Sequence, residues 1–245
     1  MLTKNQIKFV KSLELKKNRK SEGLFVAEGP KVVGDLLAAG WTPHSTYATT
    51  DYHNAAIQPQ TVTDEELQRL SFLQHPQKVL AVFHMPPSDE PPLPLDRLSL
   101  ALDGIQDPGN LGTIIRIADW FGITTVYCSP DTADIFNPKV VQATMGSIAH
   151  IRIVYGDLKQ LIERLPDNFP VYGTLLDGND IYQEPLTQYG IIVMGNEGNG
   201  ISPMVRQLIT HRLLIPNFSS GNHSAESLNV AIATAITCSE FVRRK

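Results

Sequence analysis

The first 85 residues show hydrophobic patterns of two periods, one typical of helices and one typical of strands. Apolar residues recur at helical spacing from Ile7 to Leu13, and Thr3 with Gln6 forms a capping-box pattern just before them. A helix is therefore predicted to begin near Asn5 and to end in the Lys-Lys-Asn-Arg-Lys run. Further predicted elements are a strand at Leu24–Ala27, a helix that opens at Glu28–Pro30 and stops at Gly40, a strand at His44–Thr49, a helix at Asp64–Leu73 and a strand at Val79–Phe83. Together they predict a small α/β unit.

From Leu98 onward, short apolar runs alternate with helical segments. The predicted strands are Leu98–Leu102, Thr125–Cys128, Ile151–Val154, Val171–Leu175, Ile191–Met194 and Leu213–Ile215. Strands separated by helices favour a largely parallel sheet that is covered on both faces. The last predicted helix, Ser227–Arg243, is apolar on almost every side in its first half, so it is buried in its own domain or against another subunit. We expect the second arrangement and hence a homo-oligomer.

Repeated proline marks the stretch between these two parts, from Met85 to Arg97. Proline disfavours helices and central strands and favours an extended spacer. The predicted organisation is a first domain at residues 1–85, a linker at 86–97 and a second domain at 98–245.

Composition narrows the function classes only slightly. The chain has 245 residues, of which 42% are hydrophobic and 19% charged, and this is ordinary for a globular protein. Its formal net charge of −4 gives no general case for nucleic-acid binding. No run approaches the roughly 20 apolar residues of a membrane span, and we expect a cytoplasmic protein with no membrane or metal partner. Cys128 and Cys238 lie in apolar segments, which favours core thiols over a disulfide framework or a zinc site.

Positive charge is concentrated at the start of the chain. The first twenty residues contain a single acid, Glu14, and seven basic residues: Lys4, Lys8, Lys11, Lys16, Lys17, Arg19 and Lys20. Such a run is either a solvated helix face or a surface that neutralises RNA phosphates.

Three polar clusters each follow a predicted strand. They are Asp103–Gly112 with Arg116 behind it, Met194–Ser202, and Ile215–Pro216 followed by a polar loop and Ser227–Asn229. Because the carboxyl ends of parallel strands meet at one edge, where open α/β sheets hold ligands, we expect one shared site. Arg116 lies among isoleucines, so its guanidinium is predicted to be buried and to need an anionic partner such as phosphate.

Each cluster also has a plain structural explanation. Asn110, Glu197, Ser227 and Asn229, taken singly, could be no more than helix caps. The chain lacks the dinucleotide, P-loop, zinc-protease and nucleophile-elbow motifs, which disfavours those enzyme classes.

The combined motifs are more specific. They read Asn110-x-Gly112-x-x-x-Arg116-x-Ala118, then Gly195-Asn196-Glu197-Gly198-x-Gly200-Ile201, then Ile215-Pro216 with Ser227-Leu228-Asn229-Val230. In this order they resemble the three motifs of the SpoU (TrmH-like) RNA ribose methyltransferases of the SPOUT superfamily. The first domain resembles that family's L30e-like substrate-binding domain through Phe25-Val26-Ala27-Glu28-Gly29 and the basic segment before it. One departure is the stretch 217–226, which is longer than the family's usual connection and has Asn217 where Met is common.

The resemblance implies an α/β fold in which a trefoil-knotted methyltransferase domain with a mostly parallel sheet follows the small L30e-like α/β domain. It implies a homodimer that uses S-adenosylmethionine to methylate a ribose 2′-hydroxyl of RNA, with ribosomal RNA favoured over transfer RNA. The implied catalytic residues are Asn110, Arg116, Glu197, Ser227 and Asn229, the cofactor contacts are Leu175, Gly195, Ile215, Pro216 and Leu228, and the RNA-binding residues are Lys16, Lys17, Arg19 and Lys20. Because a guanidinium normally stays protonated, Arg116 is expected to position the substrate and to stabilise the developing alkoxide.

Three rival functions stay open on sequence alone. The chain could be a transfer-RNA ribose methyltransferase, a non-catalytic RNA-binding or ribosome-assembly protein that keeps the fold, or an α/β enzyme that acts on a small nucleotide-like molecule.

Overall fold

The computed structural model describes residues 2–87, 93, 95–219 and 226–244. The chain divides into one unit made of residues 1–88 and 134–150 and a second made of residues 89–133 and 151–245. The sequence-based division at residues 85 and 97 stays a prediction. It assigns residues 134–150 to the second domain, whereas the structure groups them with the first unit.

The helices are α1 (Lys4–Ser12), α2 (Lys16–Glu22), α3 (Pro30–Ala38), α4 (Asp64–Leu70), α5 (Pro108–Trp120), α6 (Pro138–Ala143), α7 (Leu158–Glu163), α8 (Pro203–Arg206) and α9 (Val230–Arg243). The strands are β1 (Leu24–Glu28), β2 (Pro43–Ala48), β3 (Gln60–Thr61), β4 (Val79–His84), β5 (Leu98–Asp103), β6 (Thr125–Cys128), β7 (Arg152–Tyr155), β8 (Val171–Asp180), β9 (Gly190–Gly195) and β10 (His211–Leu214).

The first unit is built on a four-stranded sheet of order β1-β4-β2-β3. Strand β4 is antiparallel to both β1 and β2, and its apolar residues are buried between the helices. The predicted capping box is confirmed, because the Thr3 hydroxyl accepts the Gln6 N–H and the Gln6 side chain accepts the Thr3 N–H. The predicted end of the first helix is wrong: α1 stops at Ser12, and the basic run forms a separate helix, α2, which ends at Gly23 with a left-handed φ of 66°.

Arg19 is the one basic residue of the predicted RNA-binding set that the structure removes from the surface. Its side chain is 1% exposed and forms a 2.6 Å ion pair with Asp134. The same guanidinium donates to the carbonyls of Leu13 and Glu14 at 2.9 and 2.6 Å. Because every one of these partners lies inside the first unit, Arg19 anchors α2, and its burial removes it from the surface where RNA contact was predicted. Lys16, Lys17 and Lys20 are exposed.

Replacing Arg19 by alanine is expected to lower the free energy of unfolding by about 3 kcal/mol, because it leaves Asp134 and two carbonyls without their donor. Asp134 keeps some contact with solvent, which places the loss at the low end for a broken buried pair. Urea unfolding measures it. Lys20→Ala, one position away but exposed, is the matched control and should change stability by no more than about 0.5 kcal/mol. Equal effects of the two substitutions would contradict the anchoring role.

The second unit contains a six-stranded sheet of order β10-β8-β9-β5-β6-β7 in which each neighbouring pair is parallel. The predicted parallel sheet is therefore confirmed, and each predicted strand of this half is present within a few residues of its expected bounds. Strand β5 pairs with β9 from Leu98 opposite Gly190 to Asp103 opposite Gly195, so the two strands end together. Their common end positions the candidate site. The trefoil knot stays a prediction.

The last helix begins later than predicted, at Val230, and packs on α5. Ser227 therefore lies before the helix. Residues 220–225 of the long predicted loop lie outside the described residues. Cys128 and Cys238 are buried free thiols, as predicted, and burial raises the pKa of Cys238 to about 12. In the part of the chain that the structure describes, no helix is long and apolar enough to cross a bilayer, and no cluster of three or more metal-ligating side chains is present.

Candidate active site

The first polar cluster forms the turn between β5 and α5. Gly104 follows the strand with a left-handed φ of 77°, which favours glycine. The helix is capped by Asp107, whose carboxylate accepts the main-chain N–H of Asn110 at 2.7 Å. Asn110 is therefore not the cap of this helix, and its side-chain amide is left to bind other groups.

The second cluster is a tight turn that follows β9. Asn196 and Gly200 exchange main-chain hydrogen bonds, and the side-chain oxygen of Asn196 accepts from the N–H groups of Gly198 and Asn199. A Cβ on Gly195 would lie 2.3 Å from the carbonyl carbon of Gly200, so any other residue would prevent the turn. Gly195 lets the chain approach itself, and the turn presents Glu197 to solvent.

A continuous chain of side-chain hydrogen bonds joins the three clusters. Asn110 Nδ2 donates to Glu197 Oε1 at 2.8 Å, and Asn229 Nδ2 donates to Asn110 Oδ1 at 2.9 Å. The oxygen of Asn229 caps α9 by accepting the N–H groups of Ala231 and Ile232. The three clusters therefore lie at one edge of the sheet, as expected, and contact one another directly. The hydrogen bonds of the Asn110 and Asn229 side chains fix the orientation of both amides.

Arg116 lies on the solvent-facing side of α5, six residues and about 9 Å of helix axis beyond Asn110. The prediction of a buried guanidinium is wrong. The buried face of α5 consists of Leu111, Gly112, Ile114, Ile115 and Ala118, and Arg116 points away from it. No carboxylate among the described residues pairs with Arg116, so its five donors are available to a ligand. Ser227 is also exposed and makes no hydrogen bond within the described residues.

Three of the residues expected to contact S-adenosylmethionine, Leu175, Ile215 and Pro216, lie on β8 or directly after β10. Strand β8 leaves β9 after Gly173, and its pairing with β10 jumps from Gly173 to Asn179, so residues 174–178 leave the ladder. Leu175 lies in this segment and packs into the core. Ile215 and Pro216 follow β10 and are half-buried. No hydrogen bond in the described part of the chain joins these residues to Gly195 or Leu228.

The main-chain groups of Ile215 and Leu228 fit the chemistry of the cofactor. Within the described residues, the main-chain N–H and C=O groups of Ile215 and Leu228 make no hydrogen bond. Leu228 also exposes 49% of its surface. Free main-chain groups beside apolar side chains suit a purine ring and a methionyl chain, and they need no acidic ribose-binding residue.

The comparison with protein families decides the assignment. The model of the SpoU rRNA Methylase family matches residues 97–239, more than half of the chain. The chain belongs to the SpoU rRNA methylase family. A second model, described as the MRM3-like substrate binding domain, matches residues 4–81.

Relatives and solved structures of nearly equal length agree with this assignment. The relative RlmP of Bacillus subtilis, named 23S rRNA (guanosine(2553)-2'-O)-methyltransferase, is 34% identical over 95% of this chain and 94% of its own. The structure of a TrmH-family protein from Porphyromonas gingivalis is 43% identical, with a TM-score of 0.86 over 100% of both chains. That of an AdoMet-bound rRNA methyltransferase from Sinorhizobium meliloti is 30% identical, with a TM-score of 0.84 over 100% of this chain and 96% of that one.

Two residues of this SpoU-family site lie in the sequence motifs but were given no role there. Asn196 Nδ2 donates to the carbonyl of Gly104 at 2.7 Å, and Asp103 Oδ2 accepts the N–H of Ser202 at 2.7 Å. These bonds tie the first turn to the second and hold Glu197 opposite Asn110. The sequence shows that both are polar residues at the end of a buried strand, but it gives no signal for the bonds that they make.

Proposed function

We propose that this chain methylates a ribose 2′-hydroxyl of RNA with S-adenosylmethionine. The observation that carries the proposal is the hydrogen-bonded chain Glu197–Asn110–Asn229, which joins the three family motifs at the end of β5 and β9. The 2′-O-methyltransferase name of the Bacillus subtilis relative, which aligns over nearly the whole chain, supports the ribose as target. The AdoMet-bound Sinorhizobium meliloti structure supports the cofactor.

Each side chain of the site has a role that follows from its chemistry. S-adenosylmethionine, held by Gly195, Ile215, Pro216 and Leu228, supplies the methyl group. Glu197 and Asn110 offer an acceptor and a donor fixed 2.8 Å apart, which orients a ribose through its hydroxyls. Ser227, two residues before Asn229, supplies a further hydroxyl. Arg116 stays protonated, contacts the target phosphate and stabilises negative charge on the 2′-oxygen, whose proton is released to solvent.

Transfer of labelled methyl from the cofactor to total RNA tests the proposal. The expected result is label in RNA that depends on Glu197 and Asn110. Cofactor binding without transfer would point to a non-catalytic assembly protein, and transfer to a free nucleotide would point to a small-molecule enzyme. Either result would overturn the proposal.

Ribosomal RNA is the substrate class we propose. Relatives named for ribosomal RNA include the one aligned over 95% of this chain, whereas others carry the mixed name tRNA/rRNA methyltransferase. Comparing purified ribosomal and transfer RNA as methyl acceptors separates the two.

Lys16, Lys17 and Lys20 are proposed to contact RNA phosphates, since all three are exposed on α2. Changing the three to glutamine should weaken RNA binding and reduce the slope of log K against log salt by about 2, since each lost phosphate contact removes roughly 0.7 for single-stranded RNA. Titrations at several salt concentrations measure the slope. Lys159→Gln, in the second unit and already paired with Glu163, is the control. An unchanged slope would show that α2 is simply solvated.

A homodimer formed through α5 and α9 is also proposed. These packed helices expose Trp120 by 85% and Ile232 by 52%, and Leu228, just before α9, is exposed by 49%; such an apolar surface is of the kind that partners cover. Ile232→Asp should convert the dimer to a monomer in sedimentation at micromolar concentration. Met204→Asp, at an equally exposed apolar residue outside these helices, should leave the dimer intact. A monomeric unmodified chain would contradict the proposal.

A further inference from the structure

Three rings form a row on the surface of the first unit. The centroid of His44 lies 5.7 Å from that of Phe9 on one side and 5.7 Å from that of His84 on the other. Both histidines are exposed, and Phe9 is half-buried. We call Phe9, His44 and His84 the ring row.

A break in strand pairing places the central ring. The register between β2 and β4 shifts between Pro43 and Ser45, so His44 has no partner residue on β4. An irregularity of this kind re-aims a side chain. The ring of His44 consequently lies between Phe9 of α1 and His84 of β4 rather than in the regular ladder.

A polar groove of about 450 Å³ begins at His44. Its lining includes Tyr47 and three glutamines, Gln6, Gln58 and Gln60. Gln6 Nε2 donates to Gln60 Oε1 at 2.9 Å, which fixes that pair of amides. Gln58 is exposed and makes no hydrogen bond within the described residues. Side-chain amides can pair with the donor and acceptor edges of a nucleobase.

Positive charge lies at the same end of the sheet. Leu24 of β1 is paired with His84, and the carbonyl of Gly23 accepts the N–H of Met85 at 2.8 Å. Gly23 ends α2, so the last turn of that helix, with exposed Lys20, is near His84. Rings, amides and an ammonium group are the combination that binds unpaired nucleotides.

We propose that the ring row and its groove bind an unpaired nucleotide of the RNA substrate, with the base stacked on the imidazole rings and its edge facing Gln58. The inference rests on the proposed RNA methyltransferase function, and it assigns the first unit a preference for single-stranded RNA. The residues that methylate RNA lie in the second unit, so the ring row acts on substrate binding and not on methyl transfer.

The test uses the full chain with His44 and His84 both changed to alanine. Loss of base stacking should raise the Kd for a single-stranded oligonucleotide about 5-fold to 100-fold. The Kd for a fully paired duplex should stay unchanged. The KM for RNA should rise with the Kd, while kcat at saturating RNA and the affinity for S-adenosylmethionine stay constant.

Two further variants keep the result interpretable. Changing both histidines to phenylalanine keeps the ring faces and should restore single-strand affinity, which a folding defect would not allow. His75→Ala, at an exposed histidine of the same unit away from the ring row, should have no effect. Unchanged single-strand affinity in the double alanine variant, or an equal loss for duplex, would overturn the site. If wild-type protein transfers no methyl to RNA but the double variant still loses single-strand affinity, the proposed reaction fails and the site stands.

Discussion

Replacing Arg116 by alanine should lower kcat for RNA methylation on the order of 10²-fold to 10³-fold, the effect of removing one charge-stabilising donor from an active site. The guanidinium is exposed and unpaired among the described residues, so it does not stabilise the folded chain. It is also not among the residues expected to contact the cofactor. Affinity for S-adenosylmethionine and the free energy of unfolding should therefore be unchanged.

Steady-state kinetics with calorimetric titration of the cofactor make this measurement. Arg116→Lys keeps the charge but loses the planar fork of donors, so it should recover only part of the rate. Arg164→Ala, at another exposed arginine of the second unit, is the control for a general loss of charge. A wild-type kcat in the Arg116→Ala variant would show that Arg116 is not part of the site.

Changing Asn110 to aspartate should have the second large effect, a loss of kcat on the order of 10²-fold or more, because the pair with Glu197 is broken and two carboxylates face each other. The same change removes the donor of the bond to Glu197 while keeping the acceptor for Asn229. Asn199→Asp introduces the same charge two residues from Glu197, at a side chain that makes no hydrogen bond within the described residues, and should leave kcat near its original value.

A double variant shows whether Asn110 and Glu197 act as one unit. When two residues bind a substrate as one unit, the losses of kcat that follow from replacing them are not additive. The kcat of the Asn110→Ala, Glu197→Gln double variant should therefore be no lower than that of the more severe single variant. Losses that multiply would mean that Glu197 and Asn110 contribute independently. The hydrogen bond between the two side chains would then make no contribution to kcat.

Hydrophobic pattern was sufficient to predict the sheet of the second unit, because each strand is an apolar run bounded by turn residues. It failed for α2, since Lys16–Glu22 has no apolar periodicity and depends on the buried Arg19 and the left-handed Gly23. The run of basic residues in the sequence does not show that Arg19 is buried while the neighbouring lysines are exposed. That distinction needs Asp134, which is 115 residues away in the chain.

The candidate site was predictable at the level of motifs but not of contacts. Arg116 was expected to be buried because isoleucines surround it in sequence, yet those at positions 114 and 115 lie on the opposite face of α5. The bonds from Asn110 to Glu197 and Asn229 join residues 87 and 119 positions apart, and only the common end of the strands brings them together. The roles of Asn196 and Asp103 likewise depend on carbonyl and N–H groups that carry no sequence signal.

The most direct test of the ribose as target is alkaline hydrolysis of ribosomal RNA that the protein has labelled with methyl from S-adenosylmethionine. A methyl group on the 2′-oxygen blocks cleavage of the adjoining phosphodiester, whereas a methyl group on a base does not. We expect label in alkali-stable dinucleotides with the wild-type chain and no such label with the Arg116→Ala variant. Label recovered in mononucleotides would contradict it.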